Sequence, residues 1–202
     1  MKLLLMRKQI FIAAILFICC RQASAQLQQG SLYPGISSEN RLKLFYKSYG
    51  IKPGLSYALD KHSLIGVSYS HFRTSTYDLF SSTGTKTYGI QNGIGISYSY
   101  FRYFKNSKKL GWYVNANLDF NKVKYFDIKN TGEKELRSGF NEKELSIRPG
   151  LFYKPSQNFM VFANFGGISL VSQDGNISGP LNFGSQVNVG VLINLDLFRK
   201  KK

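Results

Sequence analysis

The chain is poor in groups that do covalent chemistry. His62 and His71 are the only two histidines among its 202 residues. Hydrolysis or acyl transfer needs a nucleophile, a base and a group that orients the base, all within hydrogen-bond reach. His71 lies close to Ser68 and Ser70, yet in an extended segment both serines point to the opposite face, and His71 shares its own face with Tyr69 and Arg73. His62 sits in the polar break "LDKHS" (Leu59–Ser63), where a solvated residue is the ordinary expectation. "DGN" at Asp174–Asn176 reads as a turn rather than a calcium loop. No metal, nucleotide or haem motif stands out, so no cofactor and no catalytic residue is expected.

What remains is charge in unusual places. Lys52, Asp119 and Arg148 each stand in the middle of a segment that alternates apolar and polar residues, and each falls on the polar row. In Tyr49–Leu59 the apolar row Ile51, Pro53, Leu55, Tyr57 opposes Gly50, Lys52, Gly54, Ser56. In Trp112–Phe120 the row Trp112, Val114, Ala116, Leu118 opposes Tyr113, Asn115, Asn117, Asp119. In Glu144–Tyr153 the row Leu145, Ile147, Pro149, Leu151 opposes Glu144, Ser146, Arg148, Gly150. At ~3.4 Å per residue and a tilt of about 40°, the three charges share one depth. The expectation is an internal cluster centred on Asp119, with Lys52 and Arg148 reaching it and Glu144 above and Asp196 below as further partners. The alternative is separate solvation of each charge by water.

The elements that would position these charges are strands. Aromatics make up 15% of the sequence and there are 19 glycines, a composition that suits strands and turns over helices. Period-two alternation recurs in Tyr88–Phe104 and in the terminal Gln186–Phe198. Residues 1–25 read as a secretory signal: Lys2, Arg7 and Lys8, an apolar run from Ile10 to Cys20, then "ASA" before Gln26. Both cysteines, Cys19 and Cys20, lie inside it, so an exported chain of residues 26–202 has no thiol. Removing it takes away four cations, Lys2, Arg7, Lys8 and Arg21, and the formal charge falls from +16 to +12. For an exported chain, that charge points to anionic headgroups, lipopolysaccharide phosphates or peptidoglycan and away from nucleic acid.

An alternating strand is apolar-in within a soluble sandwich and apolar-out within a membrane barrel. The breaks favour the barrel. Short polar ones at Leu59–Ser63, Lys105–Lys109 and Lys154–Asn158 alternate with long ones at 74–87, 127–142 and 172–184. A lipid-facing Lys or Arg at mid-bilayer costs ~2–4 kcal/mol, and mid-strand charges here keep to the polar row. The expected fold is all-β: one closed antiparallel up-and-down transmembrane barrel of about eight strands over 26–198, then a basic tail 199–202. Leu27–Ile36 is expected as the first strand, with Arg41–Lys47 extending the second. Bulges are expected at Pro53 and Pro149, because proline lacks a ladder donor. Aromatics near both sets of breaks, among them Phe101, Tyr103, Trp112 and Tyr113, are expected to form two belts. Lys61, Arg102, Lys105, Lys108, Lys109, Lys154 and Arg199, Lys200, Lys201, Lys202 are expected to form a basic periplasmic rim.

The segments "IKPGLSYALDKHSLIGVSYSH", "GIGISYSYFRYF" and "IRPGLFYKPSQNFMVFANFGGISL", with the terminal strand, resemble the small outer-membrane β-barrel proteins of the OmpA/OmpW-like "outer membrane protein beta-barrel domain" kind. The resemblance implies insertion into an outer membrane and contact with its lipids and with the barrel-assembly machinery. Members usually end on an aromatic residue, whereas Phe198 here is followed by four basic residues. The expected function is a structural or surface-binding role exercised through loops and rim. A narrow or gated channel for small solutes is the alternative, and an outer-membrane lipid-modifying enzyme a further one.

Overall fold

The computed structural model describes residues 27–43, 46–77, 86–128, 134–177 and 186–195. The expected signal segment, Asp196, Phe198 and the Arg199–Lys202 tail lie outside them. The described chain is all strand and turn. Its strands are β1 (Leu32–Lys43), β2 (Tyr46–Ala58), β3 (Ser63–Tyr77), β4 (Lys86–Tyr103), β5 (Leu110–Ile128), β6 (Lys134–Ser156), β7 (Phe159–Phe165), β8 (Ile168–Gln173), β9 (Asn176–Ile177) and β10 (Gln186–Ile193). Every pairing is antiparallel, each of β1 to β6 pairs with the next, and β7 joins β6 to β10. β10 pairs back onto β1 from Gly35↔Leu192 to Arg41↔Gln186, which closes the ring.

The ring has eight staves because β7 and β8 share one and the two-residue β9 pairs only with the end of β8. β6 pairs with β7 over Gly150–Ser156 and with β8 over Glu142–Ile147. Between them the chain kinks at Gly166 (φ +62°) and Gly167 (φ +136°), a conformation that glycine adopts without strain. A Cβ at Gly167 would also press on the Ile147 carbonyl and Arg148. Pro149, which has no N–H to offer, faces this interruption. At Pro53 there is no bulge: the β2–β3 ladder lapses over Lys52–Pro53 and resumes at Gly54↔Ser68 in the same register.

The apolar rows face outward. Ile94, Val67, Ile51 and Ile147 are all more than half exposed, whereas Asn117, Asp119, Glu144, Ser146, Arg148 and Asn188 are buried. Inward rows alternate small with large. A Cβ on Gly95 would collide with the Asp119 carboxylate, one on Gly93 with Asn121, and one on Gly150 with Tyr113. The glycines are therefore notches that receive side chains from the next strand.

Three expectations need correction. Arg41–Lys43 belongs to β1 and pairs with Ser48–Tyr46, so only 44–45 separate β1 from β2. The slip in alternation there marks a hairpin, and residues 27–31 precede the first strand. Second, polar sequence at 74–77, 86–87, 127–128 and 134–142 is paired strand, so β5 and β6 run to 19 and 23 residues. Short and long connections then do not alternate strictly, because the two-residue 44–45 link lies at the long-loop end. Third, Phe101 and Tyr113 do not join a belt but point inward and are buried beside Tyr33 and Phe152, with Tyr103 packed against them, whereas Trp112 faces out.

The three short turns share one device, a side-chain oxygen that accepts a backbone N–H two residues on. Asp60 Oδ1 accepts from His62 N (2.6 Å), Ser107 Oγ from Lys109 N (3.2 Å) and Ser156 Oγ from Asn158 N (3.3 Å). The His62 N–H also holds the exposed Asp60 carboxyl below its usual pKa.

Gly150→Val tests the notches. Its Cβ would meet the Ala163 carbonyl and the Tyr113 ring. Overpacking of this kind costs ~1–3 kcal/mol. The expected outcome is a lowered urea midpoint of the detergent-folded protein, while Gly139→Val, at an exposed position of the same strand, leaves it close to the parent's.

Candidate functional site: the barrel lumen

The lumen is layered. At the short-turn end it is filled by an apolar floor of Leu27, Tyr33, Ala58, Leu64, Phe101, Tyr113, Phe152 and Met160. Phe101 stacks on Tyr113 with centroids 5.2 Å apart, and Phe152 meets Phe101 edge-on at 5.3 Å and Tyr103 at 4.8 Å. Such pairs add about 0.5–1.5 kcal/mol each beyond their burial. Residues 27–31 lie across this end. Leu27 N donates to Lys61 O (3.3 Å), Gly30 N to Ala58 O (2.9 Å), and Asn194 Nδ2 to Gln28 Oε1 (3.4 Å). The cap thus ties the β2–β3 turn to the end of β10.

Above the floor lies a polar hollow of about 90 Å³, lined by Ser37, Ser68, Ser97, Asn117 and Asn188 among others. That volume takes a few waters and no larger solute. Its walls include Lys52 and Arg148, which begin the charged layer.

Two ion-paired groups form that layer. Lys52 Nζ lies 2.7 Å from Asp119 Oδ1, across the lumen from β2 to β5. Arg148 on β6 bridges two carboxylates: Nη1 is 3.0 Å from Glu39 Oε2 on β1, and Nη2 is 3.1 Å from Glu144 Oε1 on its own strand. Arg148, Glu39 and Glu144 are all nearly inaccessible. Asp119 and Glu144 are direct cross-strand partners, so two like charges stand side by side on the inward face. Like charges opposite one another destabilise a sheet unless countered, and each here has its own cation. Higher still, Asn121 Nδ2 and Gln91 Nε2 donate to Glu142 Oε1 at 3.3 and 3.4 Å.

The structure brings Lys52 to Asp119 and Glu144 to Arg148, but the layer is not centred on Asp119. Arg148 is the residue with two acidic partners, and its second one, Glu39, was missed. The hairpin at 44–45 hides the phase of β1, and only that phase puts Glu39 on the inward row. Asp196 lies outside the described residues. On the rim, Lys61, Arg102, Lys105 and Lys108 are exposed at the short-turn end, and Lys109 is half-buried, its carbonyl accepting Lys154 N at 2.7 Å. Lys154 departs from the expectation: it is 1% exposed, because it shares the inward row of Arg148, Gly150 and Phe152.

The histidines are placed without catalytic partners among the described residues. His62 Nδ1 lies 3.1 Å from the Phe101 carbonyl. His71 Nδ1 lies 2.7 Å from Asn92 Oδ1 on the outer wall, and Tyr69 OH donates to the same oxygen at 3.0 Å. Among the described residues no group of three or more His, Cys, Asp or Glu side chains is arranged to hold a metal ion.

No family model and no curated protein matches the chain. Solved structures do. The N-terminal β-barrel domain of Pseudomonas aeruginosa OprF is 20% identical over 83% of this chain and 98% of its own, with a TM-score of 0.45. Neisserial surface protein A is 16% identical over 82% and 96%, with a TM-score of 0.46. Ail, the attachment invasion locus protein of Yersinia pestis, is 16% identical over 83% and 98%, with a TM-score of 0.42. At these identities and scores the likenesses carry nothing about binding or activity.

Removing one member of a buried ion pair costs ~3–5 kcal/mol, because the other charge is left uncompensated. Arg148→Met should therefore lower the urea midpoint more than Asp119→Ala, since it strands two carboxylates. The triple change Glu39→Gln, Glu144→Gln, Arg148→Met should recover much of the loss. A parental midpoint for Arg148→Met would mean that water screens these charges.

Proposed function

We propose that the chain is an integral outer-membrane barrel, exported by its N-terminal signal, with a closed lumen and a structural or surface-binding role. The observation that carries this reading is inversion. Large apolar side chains cover the outer wall, and buried Ser, Asn and paired charges fill the inside. Water would penalise that wall, and lipid favours it. The ring closes through β1 and β10, so no strand is left as an open sheet edge facing lipid among the described residues. No helix among the described residues is long and apolar enough to cross a membrane.

Closure supports a structural or binding role over a solute path. The aromatic floor and the residue 27–31 cap obstruct the short-turn end, and the ion pairs obstruct the middle. In this reading the short turns face the periplasm and the long-loop end faces outward. The exposed Lys61, Arg102, Lys105 and Lys108 then form a basic periplasmic rim suited to anionic headgroups or peptidoglycan carboxylates, an attraction that salt weakens.

The expressed protein should resist carbonate extraction from the outer-membrane fraction and migrate as a heat-modifiable band. Recovery in the soluble periplasm would overturn the reading. In planar bilayers the parent should pass no steady ion current, and neither should Phe101→Ala with Phe152→Ala, because the ion-paired layer still obstructs the middle. A steady current through the parent would favour the narrow channel instead.

A further inference from the structure

The outer wall is not uniformly apolar. Toward the long-loop end of β3–β6 three outward rows stack: Tyr69, Ile94, Phe120 and Lys143; then His71, Asn92, Lys122 and Asn141; then Arg73, Ile90, Lys124 and Gly139. Arg73, Lys122, Lys124 and Lys143 are exposed. Among the described residues no carboxylate lies within ion-pair distance of any of the four, and the outward rows of β3–β6 in this region carry none. Glu142 and Glu144 belong to the inward row. Lys122 lies ten residues beyond Trp112 on one outward row. At ~3.4 Å per residue and a tilt of about 40° that is ~26 Å along the membrane normal, the height of a barrel's apolar band. Lys122 therefore sits at headgroup depth, with Arg73 and Lys124 one row further out and Lys143 one row nearer the apolar band.

Two hollows meet at this edge. The lower one, about 730 Å³, is lined by Pro53, Leu55, Val67, Ile96 and their neighbours. It lies over the stretch where the β2–β3 ladder lapses and where glycines 54 and 95 leave the wall thin. The upper one, about 430 Å³, is lined by Asn92, Lys122, Asn141 and Lys143, and also by Glu142, whose carboxylate accepts from Asn121 and Gln91. They share Tyr69, Ile94 and Phe120, so an apolar track runs continuously into a cationic rim. Tyr69 OH and His71 engage the oxygen of Asn92, which leaves that amide only its Nδ2 donors to offer.

We propose that this two-part hollow is a binding site for an anionic phospholipid, one whose headgroup phosphate is not neutralised by a cation of its own. One acyl chain lies in the apolar track, and the headgroup phosphate meets Lys122, Lys143 and the Asn92 amide, with Arg73 and Lys124 adding field from above. The proposal rests on the membrane-spanning reading and adds a specific occupant to it.

The test folds the full chain into nanodiscs of phosphatidylcholine doped with phosphatidylglycerol, extracts it gently and counts retained lipids by native mass spectrometry. The expected result is retention of phosphatidylglycerol over phosphatidylcholine by about tenfold, reduced by high salt. Lys122→Gln with Lys143→Gln should bring the ratio to within about twofold, whereas Lys134→Gln with Arg137→Gln, exposed on β6 and lining neither hollow, should leave it close to the parent's. Equal retention of both lipids by the parent, or a preference that survives Lys122→Gln with Lys143→Gln, overturns the site. So does displacement of phosphatidylglycerol by inorganic phosphate, which would mean that a free anion suffices. Failure of the chain to insert, seen as loss of the heat-modifiable band, overturns the membrane reading as well; insertion without lipid preference overturns the site alone.

Discussion

Lipid cannot hydrogen-bond to a peptide group, and on the membrane reading this one constraint shapes the rest of the molecule. Every strand needs two neighbours, so the last must find the first. The pairing of Gly35–Arg41 with Leu192–Gln186 meets that demand and sets the ring at eight staves. Eight staves make a lumen narrow enough for side chains to fill. That width lets Lys52 on β2 reach Asp119 on β5, and Arg148 on β6 reach Glu39 on β1. It also forces the inward rows to alternate glycine with bulk, because facing strands compete for the same space.

Within that narrow lumen two kinds of filling divide the work. Aromatic rings at the short-turn end exclude water by packing, need no partner chemistry and are held by the 27–31 cap. Charges in the middle must satisfy one another, because a lone buried ion is costly and a paired one roughly breaks even. The ion pairs therefore contribute less to net stability than to defining a unique interior, which is the role that the loss and recovery on Arg148 substitution would separate. The polar hollow between the two layers lies where neither filling reaches across.

Much of this was legible in the sequence, and parity explains both the successes and the failures. Strict alternation placed Lys52, Asp119, Glu144 and Arg148 on the inward rows, since period two leaves no third choice. The same parity puts Lys154, Phe101 and Tyr113 inside, as it does Phe152; reading the first three as rim or belt residues relied on nearness to a turn instead. Glu39 was hidden for another reason. A two-residue hairpin at 44–45 carries no strong turn signal, so the phase of β1 could not be carried across it. Long polar strand ends such as 134–142 look like loop because, above the apolar band, neither face is required to be apolar. The hollow on the outer wall was also invisible, because it depends on which strands lie side by side.

The notch between Gly95 and Asp119 has a consequence for how the sheet avoids misassembly. Sliding β5 past β4 by one residue would turn every apolar side chain into the lumen, and hydropathy alone forbids it. Sliding by two would not: lipid would still meet apolar residues and the lumen polar ones, so an alternating wall is degenerate to even-numbered slips. Such a slip shifts Asp119 by ~7 Å along the strand. The carboxylate then leaves Lys52, and depending on direction it faces Ser97 or carries Asn121 onto Gln91, where no notch waits. The charges and glycines thus record the one distinction that the hydrophobic pattern cannot, and a variant stripped of them would be expected to populate several barrels of equal hydrophobicity and different shear.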